Sequence, residues 1–220
     1  MGFPIKYGDS GIKALKAAVA GGGRKSSTGG PAREALVLLL DCSGSMRVAD
    51  GGGNISRLMA AQRAASDLVT ASTSSRVGVV SFADVATILC RPGDRAEATR
   101  KIMEIKAGMG TFMAAGIHEA VQALEPPEPG IQVRRIILMT DGFPAEPDRE
   151  VIAEAQTAKN KGILIDCVAF GTAANERLLA EIARLTEGVS ILAKDAASLA
   201  RAFLSLEANT RGLLGSGKTP

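Results

Sequence analysis

The sequence predicts an α/β fold: a doubly wound, mostly parallel six-stranded sheet with helices on both faces and one antiparallel edge strand. Three observations predict it. Short apolar runs alternate with segments of helical apolar period along almost the whole chain, the pattern of parallel strands joined by right-handed crossovers. Two of the runs, Ala35-Leu-Val-Leu-Leu-Leu40 and Ile136-Ile-Leu-Met139, hold no polar residue, as strands covered on both faces require. Val77–Phe82 and Val85–Cys90 are separated only by Ala83-Asp84, so they pair as a hairpin and one strand runs antiparallel.

Taken in order, residues 1–20 begin with Asp9 and Ser10 as candidate caps of a short amphipathic helix carrying Ile12, Leu15 and Val19 on one stripe. Residues 21–32, Gly21-Gly-Gly-Arg-Lys-Ser-Ser-Thr-Gly-Gly-Pro31 with its neighbour, have the composition of a flexible linker. The folded domain is expected over 33–209. Its first strand, 35–40, leads into a polar loop, Arg47 to Ser56, that includes the Gly-rich stretch Asp50-Gly-Gly-Gly-Asn54. Leu58, Ala61, Ala65, Leu68 and Val69 then recur at helical spacing. After the hairpin, Arg91-Pro-Gly-Asp94 is expected to end the second strand, and 95–105 to form a helix. Gly108-Met-Gly-Thr111 reads as a loop and Met113 to Leu124 as a helix, stopped by Pro126, Pro127 and Pro129. The second apolar strand ends in Thr140-Asp141-Gly142, and a helix follows Pro147. Strand 163–170, helix 175–186, strand 189–192 and helix 196–209 complete the domain, and 210–220 is expected to be a disordered tail.

Composition narrows the function. The chain has 220 residues and a formal net charge of +3, with its basic residues dispersed and no basic block interleaved with aromatics, so nucleic acid is not the expected partner. No apolar stretch is long enough for a bilayer, so no membrane partner is expected, and the N-terminus has no leader pattern. Cys42, Cys90 and Cys167 lie in or beside predicted strands without Cys-x-x-Cys spacing; they read as buried free thiols of a reducing compartment, and a cytoplasmic location is expected.

The chemistry gathers where the apolar strands end. Asp41, Ser43 and Ser45 bring a carboxylate and two hydroxyls onto one turn, with Gly44 letting the backbone bend. These are hard oxygen ligands with no nucleophile–base pair, and they suit a small hard cation that keeps some water, Mg²⁺ best of all. The plain alternative is a Ser/Gly turn whose Asp caps the next helix. In doubly wound sheets ligands bind beyond the carboxyl ends of the strands, where strand order reverses. Asp141 follows the other wholly apolar strand, so the two carboxylates converge if those strands are neighbours, and Thr111 could complete the cluster.

Asp41-x-Ser43-x-Ser45, then Thr111 after Gly110, then Asp141-Gly142 after an apolar strand, resembles the von Willebrand factor type A domain and its metal-ion-dependent adhesion site. The resemblance covers about residues 33–206 in the right chain order. It implies that Ser43, Ser45 and Thr111 coordinate Mg²⁺ or Mn²⁺ directly or through water, while Asp41 and Asp141 hold coordinating waters and supply charge. One position would stay open for a carboxylate oxygen of a protein partner. The implied strand order is the hairpin edge, 77–82, 35–40, 136–140, 163–170, 188–192, that is 3-2-1-4-5-6. The chain looks most like compact intracellular bacterial members, tied to tellurium-resistance-type stress systems or working beside MoxR-type ATPases. That implies a non-catalytic interaction module whose partner is such an ATPase, a kinase–phosphatase pair or a stress-response complex. The Asp50–Asn54 stretch departs from the pattern, and the N-terminal helix and linker lie outside it. The competing function is metal-dependent phosphoester hydrolysis by the same oxygens, which needs a general base that the sequence does not offer.

Other signals weigh less. Gly212-Leu-Leu-Gly-Ser-Gly-Lys218-Thr219 matches the phosphate-loop pattern but has no strand before it and almost no chain after it. His118 stands without a second His or Cys and reads as a partly exposed helix residue. Ser43 lacks a nucleophile elbow. Asp166 interrupts an apolar strand, as a strand-end or edge residue or as a buried carboxylate with an unidentified partner.

Overall fold

A computed structural model describes residues 33–49 and 55–215, with side chains to Ala208. The expected helix over 1–20, the linker 21–32, the glycines of 50–54 and the last five residues lie outside the described residues.

The sheet contains β1 (Glu34–Asp41), β2 (Ser75–Phe82), β3 (Ala86–Gly93), β4 (Val133–Thr140), β5 (Ile163–Phe170) and β6 (Ser190–Ala193). Their order is β3-β2-β1-β4-β5-β6. β1 is parallel to both β2 and β4, and only the β2–β3 pair is antiparallel. The helices are α1 (Arg57–Ala71), α2 (Arg95–Glu104), α3 (Met113–Ala123), α4 (Asp148–Asn160), α5 (Glu176–Leu185) and α6 (Ala196–Gly215), and a 3-10 turn, Gly44–Arg47, follows β1. The fold class and strand order are those expected.

Two apolar layers flank the sheet because alternate strand residues point to opposite faces. Leu36, Leu38 and Leu40 pack with apolar residues of α1, α2 and α6. Ala35, Val37 and Leu39 pack with those of α3, α4 and α5. β1 is buried at every position, as its apolar run from Ala35 to Leu40 requires of a strand covered on both faces.

Several boundaries differ from the sequence expectation. β3 does not stop at Cys90 but runs through Arg91 and Pro92 to Gly93. An edge strand tolerates proline because one side of it has no ladder to feed. The register with β2 shifts here, and Gly78 makes room: a Cβ at that position would lie 2.8 Å from Pro92 N. Cys90 is half-buried, unlike buried Cys42 and Cys167, and all three are free thiols. Val85 is exposed in the hairpin turn and does not begin β3. α6 continues to Gly215, so the first residues of the expected disordered tail are helical.

β4 begins before its apolar run, at Val133, and so takes Arg134 and Arg135 into the sheet. Arg135 is buried; it pairs with Asp166 and, at 3.5 Å, with Glu34, and it donates to Leu206 O at 3.0 Å. Asp166 also accepts from Val189 N at 2.6 Å. This answers the question that Asp166 raised: it is a buried carboxylate in an ion network, and Arg135 is the cation. Among the described residues no helix is long and apolar enough to cross a membrane.

Candidate metal centre

The site forms because β1 and β4 are neighbours. Leu40 stands beside Met139 in the ladder, so the residues that follow them, Asp41 and Thr140-Asp141, leave the sheet side by side. Both carboxylates are fully buried. Asp41 Oδ1 accepts from Ser43 N at 2.7 Å, the tight turn expected of an Asp two residues ahead. Its Oδ2 accepts from Thr140 Oγ1 at 2.6 Å. Ser43 Oγ and Ser45 Oγ are 3.0 Å apart, and Ser45 Oγ donates to Asp141 Oδ1 at 2.6 Å. Asp41, Ser43, Ser45 and Asp141 therefore form one bonded cluster.

Thr111 is placed by backbone bonds instead. Its loop is pinned on three sides: Gly108 N donates to Cys42 O at 2.7 Å, Phe112 N to Ala83 O at 2.8 Å, and Ala145 N to Thr111 O at 2.9 Å. Gly110 adopts φ +66°, where a side chain is strained. The loop thus joins those after β1, β2 and β4, and Thr111 is half-buried beside them. Among the described residues no side-chain hydrogen bond ties Thr111 to the other four.

Sequence reasoning missed three participants. Arg57, the first residue of α1, donates from Nη1 to Asp141 Oδ2 at 2.8 Å and pairs a cation with that carboxylate. Nothing in the chain around Arg57 pointed there, because the contact spans 84 residues. Thr140 holds Asp41; its position directly before Asp141 was a usable signal. Glu146 accepts from Met113 N at 3.1 Å and Ala114 N at 2.8 Å, so it caps α3 and steadies the segment after Thr111.

The electrostatics follow from burial. Removal from water pushes the Asp41 carboxyl up to about 6, against hydrogen bonds from Thr140 and Ser43 that favour its charged form, with the charge of Asp141 adding a smaller upward push. Burial, and then the charge of Asp41, pushes the Cys42 thiol up to about 11. Cys42 is therefore a neutral thiol that donates to Phe82 O at 3.3 Å, not a thiolate ligand or nucleophile. His118 lies elsewhere, half-exposed on α3 with Nδ1 3.3 Å from Glu154 Oε2.

The donors fit a hard cation. They are hydroxyls and carboxylates, and the bonded cluster contains no imidazole or thiolate. The 3.0 Å between the two serine oxygens matches neighbouring ligands of an octahedron, which stand about 3.0 Å apart at Mg²⁺–oxygen distances of about 2.1 Å.

A six-stranded doubly wound sheet with a hydroxyl–carboxylate cluster at the ends of β1 and β4 defines an α/β domain with a candidate oxygen-ligand centre. Residues 36–143 match the family model for the von Willebrand factor type A domain, and the described residues fold as such a domain. A UPF0353 protein of Mycolicibacterium vanbaalenii is 30% identical over 207 residues, covering 80% of this chain and 60% of that relative. The chain thus spans about 60% of the length of the curated relatives it first matches. An aerotolerance-related membrane protein from Bacteroides fragilis is 25% identical with a TM-score of 0.68, covering 80% of this chain and 98% of that one. Proximal thread matrix protein 1 from the mussel byssus, with zinc in its metal-ion-dependent adhesion motif, has the same fold: TM-score 0.65, 23% identity, 82% of this chain and 46% of that one.

Proposed function

We propose that this domain is a non-catalytic interaction module that holds Mg²⁺ or Mn²⁺ and captures an acidic residue of a protein partner. The observation that carries the reading is the pair of serine hydroxyls 3.0 Å apart, with buried Asp41 and Asp141 bonded around them. Ser43, Ser45 and Thr111 would hold the cation, and Asp41 and Asp141 would hold its waters. A divalent cation there supplies an electrophilic open position that a carboxylate oxygen can fill. Thr140 keeps Asp41 oriented, and Arg57 keeps Asp141 from facing Asp41 as an unpaired charge. The zinc-occupied motif in the mussel protein supports the metal part of the reading.

The same proposal extends to setting. On the resemblance of its motif the domain works in a bacterial intracellular assembly, beside a MoxR-type ATPase, a kinase–phosphatase pair or a stress-response complex. The free thiols support a reducing, cytoplasmic surrounding.

Titration calorimetry with Mg²⁺ and Mn²⁺ on the wild type and Asp141→Ala tests the reading. Binding is expected in the wild type, together with a melting temperature that rises with millimolar Mg²⁺ because the cation binds only the folded state. Ser43→Ala/Ser45→Ala should abolish the rise. Equal melting in Mg²⁺ and EDTA overturns the reading. Metal-dependent phosphoester turnover that vanishes in Asp41→Ala would make the domain a hydrolase instead.

A further inference from the structure

Four large apolar side chains stand exposed on the loops that carry the oxygen cluster. Val48 follows the 3-10 turn, Met109 and Phe112 lie on the α2–α3 loop, and Phe143 stands two residues after Asp141. They are 47%, 63%, 40% and 64% exposed, although each belongs to a type that usually buries much of its surface. Their loops are bonded to one another through Gly108 to Cys42 and through Ala145 to Thr111. Two of these loops lie within van der Waals reach of the cluster's own turn: a Cβ on Gly44 would stand 4.0 Å from Met109 Sδ, and one on Gly142, beside Phe143, would stand 4.0 Å from Ser45 Oγ. Arg47 fixes one side of this rim by donating to Ala107 O at 2.9 Å and Gly108 O at 3.1 Å, so the loop carrying Met109 is anchored.

Scattered exposed apolar residues need no explanation, but apolar residues grouped around a polar centre are the signature of an interaction surface. A single carboxylate that replaces one water on a cation gives little affinity and no discrimination between acidic partners. A collar of methionine and aromatic side chains supplies both, since burying apolar surface adds affinity and desolvating a charged neighbour removes it.

We infer that the collar selects the partner by what flanks its acidic residue: the site takes a protein segment in which an Asp or Glu is bordered by apolar, above all aromatic, side chains. The inference rests on the metal-capture reading above. The acid satisfies the positive centre that a cation would make of this cluster, and the flanks cover Phe143, Phe112 and Met109. Lysine or arginine beside the acid would lose water against those side chains.

The full chain in Mg²⁺, titrated with the N-acetylated, amidated tripeptides Phe-Asp-Phe, Ala-Asp-Ala and Lys-Asp-Lys, tests this. The aromatic peptide should bind about tenfold or more tightly than the other two, in line with burial of one or two apolar side chains. The advantage should need Mg²⁺. It should collapse towards parity in Met109→Ser/Phe143→Ser, whose own affinity for Mg²⁺ stays that of the wild type. Phe143→Ser alone should lose part of the advantage, which keeps the test open if the double variant misfolds. Equal affinity for the three peptides with Mg²⁺ demonstrably bound overturns the collar and leaves metal binding standing. Absence of any Mg²⁺ binding heat removes the metal-capture reading itself, and the collar inference with it. A preference for Phe-Asp-Phe that persists unchanged in EDTA also overturns the inference, because the acid would then play no part. Sedimentation of the Mg²⁺ protein covers the remaining occupant: a dimer that dissociates in Phe143→Ser would assign the collar to a second copy of the chain.

Discussion

Asp141 has two claims on it, one from Ser45 and one from Arg57. Arg57 is mostly covered and Asp141 wholly so, which makes this an ion pair inside the protein and not on its surface. Removing the guanidinium strands a buried carboxylate. Arg57→Ala should therefore lower the unfolding free energy in EDTA by about 2–3 kcal/mol. Thermal denaturation should also show a larger Mg²⁺-induced rise in this variant than in the wild type, because the cation then answers a charge that nothing else on Asp141 neutralises. Asp41 gives the pH dependence. Its folded value of about 6 lies above its ordinary 3.8, so between these values the native state holds a proton that the unfolded chain has released. Stability from this group is fully present below 3.8 and is lost as pH rises through about 6. Without metal, the wild type should gain on the order of 1 kcal/mol between pH 7 and pH 5 relative to Asp41→Asn, measured by urea unfolding at the two pH values. On the metal-capture proposal the gain should shrink or reverse in Mg²⁺, since the proton and the cation would compete for the same cluster.

At the scale of elements, the loop before α3 depends on a residue from another loop. α3 has no capping side chain of its own at Phe112, and Glu146 supplies the missing acceptors across the end of the sheet. Glu146→Ala should cost about 1 kcal/mol, a loss of about 2–4 °C in melting temperature for a domain of this size. It should also weaken Mg²⁺ binding measured by calorimetry, because Thr111 sits on the segment that Glu146 steadies. An unchanged Mg²⁺ affinity would detach Thr111 from the centre. The hairpin edge carries a related lesson. Proline and glycine at 92 and 93 read as a strand break, yet β3 runs through them. The edge position removes the penalty for the missing N–H, and Gly78 opposite removes the clash.

For the whole molecule, the oxygen cluster stands at the carboxyl ends of β1 and β4, and a second, buried charge network lies within the sheet. Glu34 on β1, Arg135 on β4 and Asp166 on β5 join three strands, with Ser75 of β2 donating to Glu34. Arg135→Met should lower stability by about 3–5 kcal/mol, because it leaves two buried carboxylates without their cation. Adding Glu34→Gln and Asp166→Asn should recover part of that loss in denaturant titrations. No recovery would mean that the cost is one of packing and not of charge. The sequence by itself determined the α/β class, the alternation of elements and most of the oxygen cluster. Hydrophobic period and the short spacing of Asp41, Ser43 and Ser45 are local properties, and Asp141 was legible because it ends the other fully apolar strand. Only the tertiary structure decided that Arg57 answers Asp141, that Glu146 caps α3, that Arg135 pairs with Asp166, and that Val48, Met109, Phe112 and Phe143 stay exposed on the loops that carry the cluster. Each of these joins residues far apart in the chain, and a long-range contact between single side chains leaves no period or spacing in the sequence; it exists only once the strands have taken their order.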